Sequence, residues 1–395
     1  MSSTRFTSRQ TRRAAAALGA LALIGAGLTG CGNDDSAAPA SSSAAGASGS
    51  DASSTLAAEV EALTKAQDKY PVPTEKVTDI SGVKGKVIYY VPISLQAPQF
   101  AATQNAVKAA AEAVGASVQV CDGKGTPTDV SACVEQATQA GAAGVIADAI
   151  PYGMASNALD AAQEAGIPVV IGNQLDDAEH PAAADLAYVN APGAEMMEAL
   201  AKWIQLDSND DATILVNQTA DSPAPPQFVT NGTKFLATDC GDCKVITNDV
   251  SSANFSQVPA STSAALLKNP NVNYVVSQFE QFLQVTNTGI QQASKTDSVK
   301  VVTGAVQVSG LKQLASGTGL DAASGQASVF GGWVYVDAIL RMHSKQDVPK
   351  IDIPVRLFTK DSIKDLNITD EAQASGEWFG PATYTDDFKA IWGVS

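Results

Sequence analysis

The run Gly144-Val-Ile-Ala147, the stretch Ala155 to Ala165, and the run Gly166-Ile-Pro-Val-Val-Ile171 decide the fold between them. The two outer runs are short, rich in Val and Ile, and wholly apolar in their cores, as strands covered on both faces must be. The middle stretch has helical period and carries Ala where a helix must lie close on a sheet. Strand, helix and strand in that order make a βαβ unit of a parallel sheet. The same alternation extends in both directions. Upstream, Lys86 to Val91 reads as a strand, Phe100 to Val114 as a helix, Ser117 to Cys121 as a strand and Thr128 to Ala140 as a helix. Pro168 to Gly172 is the strand inside the third run, and Leu186 to Asn190 closes the series. A second series follows: helix Ala194 to Gln205, strand Ala212 to Asn217, helix Gln227 to Ala237, strand Val245 to Asn248, helix Ala260 to Leu267, strand Tyr274 to Ser277, helix Gln281 to Ser294 and strand Val299 to Thr303. A helix over Gly331 to His343 and an extended segment over Lys350 to Phe358 remain. That helix has no partner strand in its own half, which implies that the chain crosses back to the first half and returns. The expectation is therefore an α/β protein of two doubly wound parallel-sheet lobes, residues 84–190 plus 326–346 and residues 191–325 plus 347–395. Open α/β sheets bind ligands outside the carboxyl ends of their strands, so the cleft between the lobes is the default site.

The N-terminus has a different composition. Arg5, Arg9, Arg12 and Arg13 precede the apolar run Ala14 to Leu28 and then small residues, the three parts of an export signal over residues 1–30. The apolar run is shorter than the ~20 residues that span a bilayer. It ends in Leu28-Thr29-Gly30-Cys31, which resembles the lipobox of bacterial lipoproteins, so Cys31 is expected to carry the lipid anchor. Residues 31–55 are almost entirely Ser, Ala, Gly and Asp, a composition that cannot bury a core and predicts a disordered tether. A satellite helix over Leu56 to Lys69 and a linker fill residues 56–83, with Pro71 and Pro73 ending the helix.

Lys and Arg number 25 against 41 Asp and Glu, and without the first thirty residues the balance falls to −20. Such a surface repels nucleic-acid phosphates and anionic headgroups, so a nucleic-acid partner is not expected. With Cys31 assigned to lipid, Cys121, Cys133, Cys240 and Cys243 remain, and an oxidising compartment makes disulfides plausible. Four cysteines allow three pairings, of which sequence proximity favours Cys121 with Cys133 and Cys240 with Cys243. No metal is expected, since His180 and His343 lie far from the cysteines in sequence. Gly25-Ala-Gly-Leu-Thr-Gly30 fits a dinucleotide-binding pattern but follows no strand and falls within the signal. No nucleophile elbow, zinc-protease helix or phosphate loop occurs, so neither catalysis nor a cofactor is expected. Tyr152, just beyond the carboxyl end of the Gly144 strand, is a residue-level candidate for the cleft.

Four segments in this order, Lys86-Val-Ile-Tyr-Tyr-Val91 with Pro98-Gln99-Phe100, then Gly166 to Ile171, Val189-Asn190, and Val301-Val302-Thr303-Gly304, resemble the type I periplasmic binding proteins of the ribose-binding group over roughly residues 84–360. The resemblance implies two lobes joined by a three-strand hinge, closure on a small molecule, and delivery to an ABC-type permease; a monomer held at the outer face of the cell membrane by the lipid on Cys31 is expected. It also implies a ligand set. After the first strand the family has an Asn and stacking aromatics, where this chain has Gln96, Gln99 and Phe100. An Asp-Arg pair that clamps sugar hydroxyls is replaced by Asn173 and Gln174. Gln278, Phe279 and Glu280 stand where an Asn and an Asp are usual, and Ala305 and Val306 where another Asp is usual. Gln326 matches the Gln of the second hinge crossing, and Gln227 is the nearest polar residue to a missing Arg. Amides offer both donor and acceptor. With no Lys or Arg at these positions, a neutral ligand is expected, a sugar or polyol, or alternatively an aromatic or nucleoside-like compound. A sensory protein that presents its ligand to a receptor would use the same architecture.

Overall fold

A computed structural model describes residues 48–395. The export signal, Cys31 and most of the expected tether lie outside the described residues. The described chain opens on helix α1, Ser48–Leu63, which corrects two expectations. Residues 48–55 are helical and not tether, and the helix stops at Leu63 instead of Lys69. The reason is packing: Leu56, Val60 and Leu63 share one face and join the core of the second lobe, and that docked face supports helix upstream of it.

The first sheet takes β1 (Val87–Pro92), β2 (Ser117–Val120), β3 (Gly144–Asp148), β4 (Val169–Gln174) and β5 (Leu186–Asn190), with helices α2 (Pro98–Ala113), α3 (Pro127–Gln139) and α4 (Ser156–Glu164) between them. The strands run parallel in the order β2-β1-β3-β4-β5. Every residue of β3 is buried, as its uninterrupted apolar run requires. The chain then passes through α5 (Gly193–Ser208), β6 (Thr213–Thr219), α6 (Ala224–Thr233), α7 (Leu236–Asp239), β7 (Lys244–Val250), α8 (Val258–Lys268), β8 (Tyr274–Ser277), α9 (Leu283–Gln292), β9 (Lys300–Thr303), α10 (Val308–Ser316) and β10 (Ala322–Gln326). It continues through α11 (Ser328–His343), β11 (Val355–Thr359), α12 (Asp370–Ser375) and α13 (Tyr384–Trp392). The second sheet has the order β11-β10-β9-β8-β6-β7. Its strands are parallel except β11, which runs antiparallel to β10 and departs from the all-parallel expectation. β11 is the return from the first lobe, so it re-enters the sheet from the opposite end. The single helix expected over Gln227 to Ala237 is divided into α6 and α7.

Helix α11 is buried along nearly its whole length and lies on α2, β4 and β5, so the chain does cross back to the first lobe. Gly332 makes the close approach possible: a Cβ there would stand 2.7 Å from that of Ala106 and 3.0 Å from the Thr103 carbonyl of α2. The tail departs from its expected assignment to the second lobe. β11 does sit in the second sheet, but α12 and α13 pack on α2 and α11 of the first. Aromatic contact is the cause. Trp333 of α11 stacks on Trp392 at 5.3 Å, and Phe330, Tyr384, Phe388 and Tyr70 fill the space around them. A buried ion pair ties the same surfaces: Arg341 Nε donates to Asp337 Oδ2 at 2.7 Å and Trp392 Nε1 donates to Asp337 Oδ1 at 2.8 Å.

Disulfides link Cys121 to Cys133 and Cys240 to Cys243, with Cα separations of 5.7 and 5.4 Å. Among the described residues, no helix is long and apolar enough to cross a membrane.

Candidate binding cleft

In the first sheet the strand order reverses direction between β1 and β3, and in the second between β6 and β8. Adjacent strands at such a point send their connections to opposite faces, which leaves a crevice beyond the carboxyl ends. A cavity of about 940 Å³ lies there, lined by the segments that follow β1, β3 and β4 on one side and β6, β7, β8 and β9 on the other. That volume is within the range of small-molecule sites, roughly 300–1,000 Å³.

Of the residues nominated from sequence, Gln96, Gln99, Phe100, Asn173, Gln174, Phe279 and Gln326 line this cavity. Gln174 and Gln326 are nearly inaccessible to solvent yet form part of its wall. The remaining three do not line it. Tyr152 stacks on His180 at 4.1 Å and its hydroxyl is engaged by Asp160 and Gln163, which turns it to the outer side of β3. Gln227 is exposed, because α6 starts at Ala224 and buries Ala224, Pro225, Phe228 and Val229 on its opposite face. Gln278 is buried behind the wall, where its Nε2 donates to the Pro225 carbonyl and its Oε1 accepts from the Thr219 amide, each at 2.7 Å. It therefore braces two cleft segments from behind.

Several cleft residues were not nominated. Met196, Pro225, Phe228, Phe255 and Leu283 give the second-lobe wall an apolar character. Thr219 contributes a buried hydroxyl without a partner, and Gln99 a buried carbonyl oxygen in the same condition. Glu280 also reaches the lining, but its carboxylate accepts from the Gln307 and Gly310 amides and the Ser309 hydroxyl at the start of α10. Burial pushes its pKa up, against the pull of those bonds. It serves the helix terminus and has little left to offer a ligand.

The expectation of a cleft without cations needs correcting in one place. Lys124 lines the cavity, on the loop after β2 that packs beneath Ile93. Its ammonium is paired with Asp129 at 3.1 Å and its side chain is 66% exposed, so it sits at the rim and is already neutralised. Asp221, the nearby acid, accepts from the Ser252 amide. Among the described residues no group of His, Cys, Asp and Glu is placed to hold a metal.

Backbone conformation is unusual at the same strand ends. Ala149, Asn173 and Ala305 all have positive φ, at 60°, 53° and 53°, and all line the cavity. Non-glycine residues adopt this region rarely, and such outliers concentrate at ligand sites.

Two open α/β sheets whose switch points face one another across a polar and aromatic cavity define a two-lobed binding protein. The family model for the periplasmic binding protein domain matches residues 88–344, and the chain belongs to that family. Solved structures agree in fold. The 5-methylthioribose transporter solute-binding protein of Thermotoga lettingae, in complex with 5-methylthioribose, is 17% identical with a TM-score of 0.65, covering 78% of this chain and 97% of its own. An ABC transporter solute-binding protein of Agrobacterium vitis bound to α-D-tagatopyranose is 18% identical at TM-score 0.64, covering 71% and 97%. The myo-inositol-binding protein of Caulobacter, bound to myo-inositol, is 17% identical at TM-score 0.62, covering 72% and 97%. A comparison with curated proteins gives no match.

Proposed function

We propose that this chain is the extracytoplasmic solute-binding lipoprotein of an ABC-type importer, which captures a small neutral solute in the interlobe cleft and delivers it to a membrane permease. The solute class is a sugar or polyol. The observation that carries the reading is that one cavity gathers the amides Gln99, Asn173, Gln174 and Gln326 together with the rings Phe100, Phe228, Phe255 and Phe279. Amides can satisfy hydroxyl donors and acceptors alike, and ring faces cover the C–H surfaces of a sugar. Solved relatives holding 5-methylthioribose, tagatose and myo-inositol are consistent with that class. Anchoring through lipid on Cys31, action as a monomer at the outer face of the cell membrane, and the absence of catalysis complete the proposal.

The extent of the apolar wall favours a second reading of the ligand, an aromatic or nucleoside-like compound. Thermal unfolding against a panel of pentoses, hexoses, inositols and nucleosides separates the two. A solute at 100 times its Kd stabilises the fold by about 2.7 kcal/mol. Sugars or polyols should shift the midpoint; shifts from nucleosides alone would replace the sugar reading, and shifts from neither would remove both. A permease and ATPase co-purifying with the protein would favour transport over presentation to a sensor.

A further inference from the structure

Asp148 ends β3 fully buried, behind the cavity wall and not in it. The groups that face its carboxylate are Tyr90 from β1, Tyr335 from α11 and Asn173 from β4, and none of them is a cation. Tyr90 Oη donates to Oδ2 at 2.6 Å, while Asn173 Nδ2 and Tyr335 Oη donate to Oδ1 at 2.7 and 3.3 Å. The arrangement is built with some precision in the backbone. A β-bulge between Gly172 and Gln174 leaves Asn173 as the extra residue, in left-handed conformation at φ 53°, and swings its side chain toward Asp148. Gly172 clears the path for the phenol, since a Cβ there would stand 2.5 Å from Tyr335 Oη.

The network does not stop at Asn173. Its Oδ1 accepts from Gln326 Nε2 at 2.9 Å, and Gln326 is the last residue of β10, on the other sheet and in the cleft wall. Donor and acceptor identities propagate along such a chain. An ionised carboxylate only accepts, so Asn173 must give it the NH2 end and turn its carbonyl away; Gln326 must then give its own NH2 to that carbonyl. What Gln326 has left is Oε1, which makes no hydrogen bond among the described residues.

We infer that Asp148 is a positioning residue that sets, through Asn173, which end of the Gln326 carboxamide faces the solute, so that the ionised site offers an acceptor to a ligand O–H or N–H. A proton on Asp148 reverses the chain. The new O–H needs an acceptor, Asn173 turns its carbonyl to it, and Gln326 turns in response and offers NH2 to the cleft. Burial raises the Asp148 pKa to about 6, against the opposing pull of the Tyr90, Asn173 and Tyr335 bonds, which places the reversal in mild acid. The ligand half of the inference rests on the cleft being the solute site; the relay itself does not.

The test therefore uses no solute. In the full chain labelled with ¹⁵N, the side-chain NH2 resonances of Asn173 and Gln326, assigned with Asn173→Asp and Gln326→Glu, are followed from pH 8 to pH 4. Both should move together with one midpoint near 6, and in Asp148→Asn the Gln326 resonances should no longer titrate. If that variant does not fold, Tyr335→Phe removes one donor to the carboxylate and should move the shared midpoint upward. Independent midpoints, a Gln326 signal that stays still in the wild type, or a titration that persists in Asp148→Asn would each overturn the relay. Failure of every solute to bind, with the joint titration intact, would instead sink the proposed function and leave the relay standing.

Discussion

Two carboxylates are buried on either side of helix α11, and the molecule treats them differently. Asp337, on the side facing the tail, is paired with Arg341 and bonded to Trp392. Burial keeps its pKa above the usual carboxylate value, although the Arg341 charge and the bonds from Arg341 and Trp392 pull it down. Asp148, on the side facing the cleft, has only phenols and an amide around it, so burial raises its pKa against hydrogen bonds with no cation to help them. A neutralised charge locks two surfaces in one geometry, which suits the tail helix α13 clamped on the first lobe. A charge held by neutral, reorientable donors leaves its surroundings able to change hydrogen-bond direction, which suits a binding wall. The position of the cation separates scaffold from site.

The comparison is broken most severely at Asp337. Asp337→Ala leaves Arg341 without its carboxylate in a fully buried position and should cost about 3–5 kcal/mol, read as a lowered denaturation midpoint. Trp392→Ala removes the ring stacked on Trp333 together with a donor to Asp337, and large-to-small core changes of this kind cost roughly 3–5 kcal/mol. A loss under 1 kcal/mol in either would mean that the tail is not clamped as described.

Asp148 sharpens the same contrast through pH. Its carboxyl holds a proton more tightly in the folded chain, about pH 6, than at the ordinary value of 3.8. Its contribution to stability is therefore fully present below pH 3.8 and is lost as the pH rises through 6. The difference corresponds to about 3 kcal/mol at full ionisation. In Asp148→Asn this component of the pH profile should vanish, so that variant and wild type diverge between pH 4 and 7 and run parallel outside that window. A divergence unchanged by pH would show that Asp148 does not titrate there.

Gln326→Ala should weaken solute affinity by about 1–2 kcal/mol, measured by calorimetry, with the unfolding midpoint nearly retained. Smallest of all, Lys124→Met breaks an exposed ion pair at the cleft rim and should leave the unfolding midpoint unchanged within error.

The sequence spoke clearly where burial is uniform. β5 and β8 fall at their expected boundaries because their apolar runs are bounded by turn residues. β10, Ala322-Ala-Ser-Gly-Gln326, was not read as a strand, since small residues carry little strand preference and its place is set by β9 and β11 on either side. The direction of β11 and the lodging of the tail on the first lobe depend on contacts between distant residues, which periodicity does not encode. In the cleft, Phe100, Asn173, Gln174 and Phe279 were legible through the family resemblance, and they lie at the end of β4 and in the segments after β1 and β8. Gln227 was chosen only as the polar residue nearest a missing Arg of the family, and its neighbour Phe228 lines the cleft instead. Asp148 was visible as a lone acid closing an apolar strand, but that it faces inward and reaches Gln326 through a bulge could come only from three dimensions.

Solute is expected to bind in the interlobe cleft among its amides and aromatic rings. A crystal structure of the protein with the sugar or polyol that most raises its unfolding midpoint tests this directly. Density is expected between Asn173, Gln326 and Phe279, with a ligand hydroxyl donating to Gln326 Oε1 at neutral pH. Density elsewhere, for instance in the pocket lined by Asp176, Asp177, Tyr188 and Lys350, would contradict it.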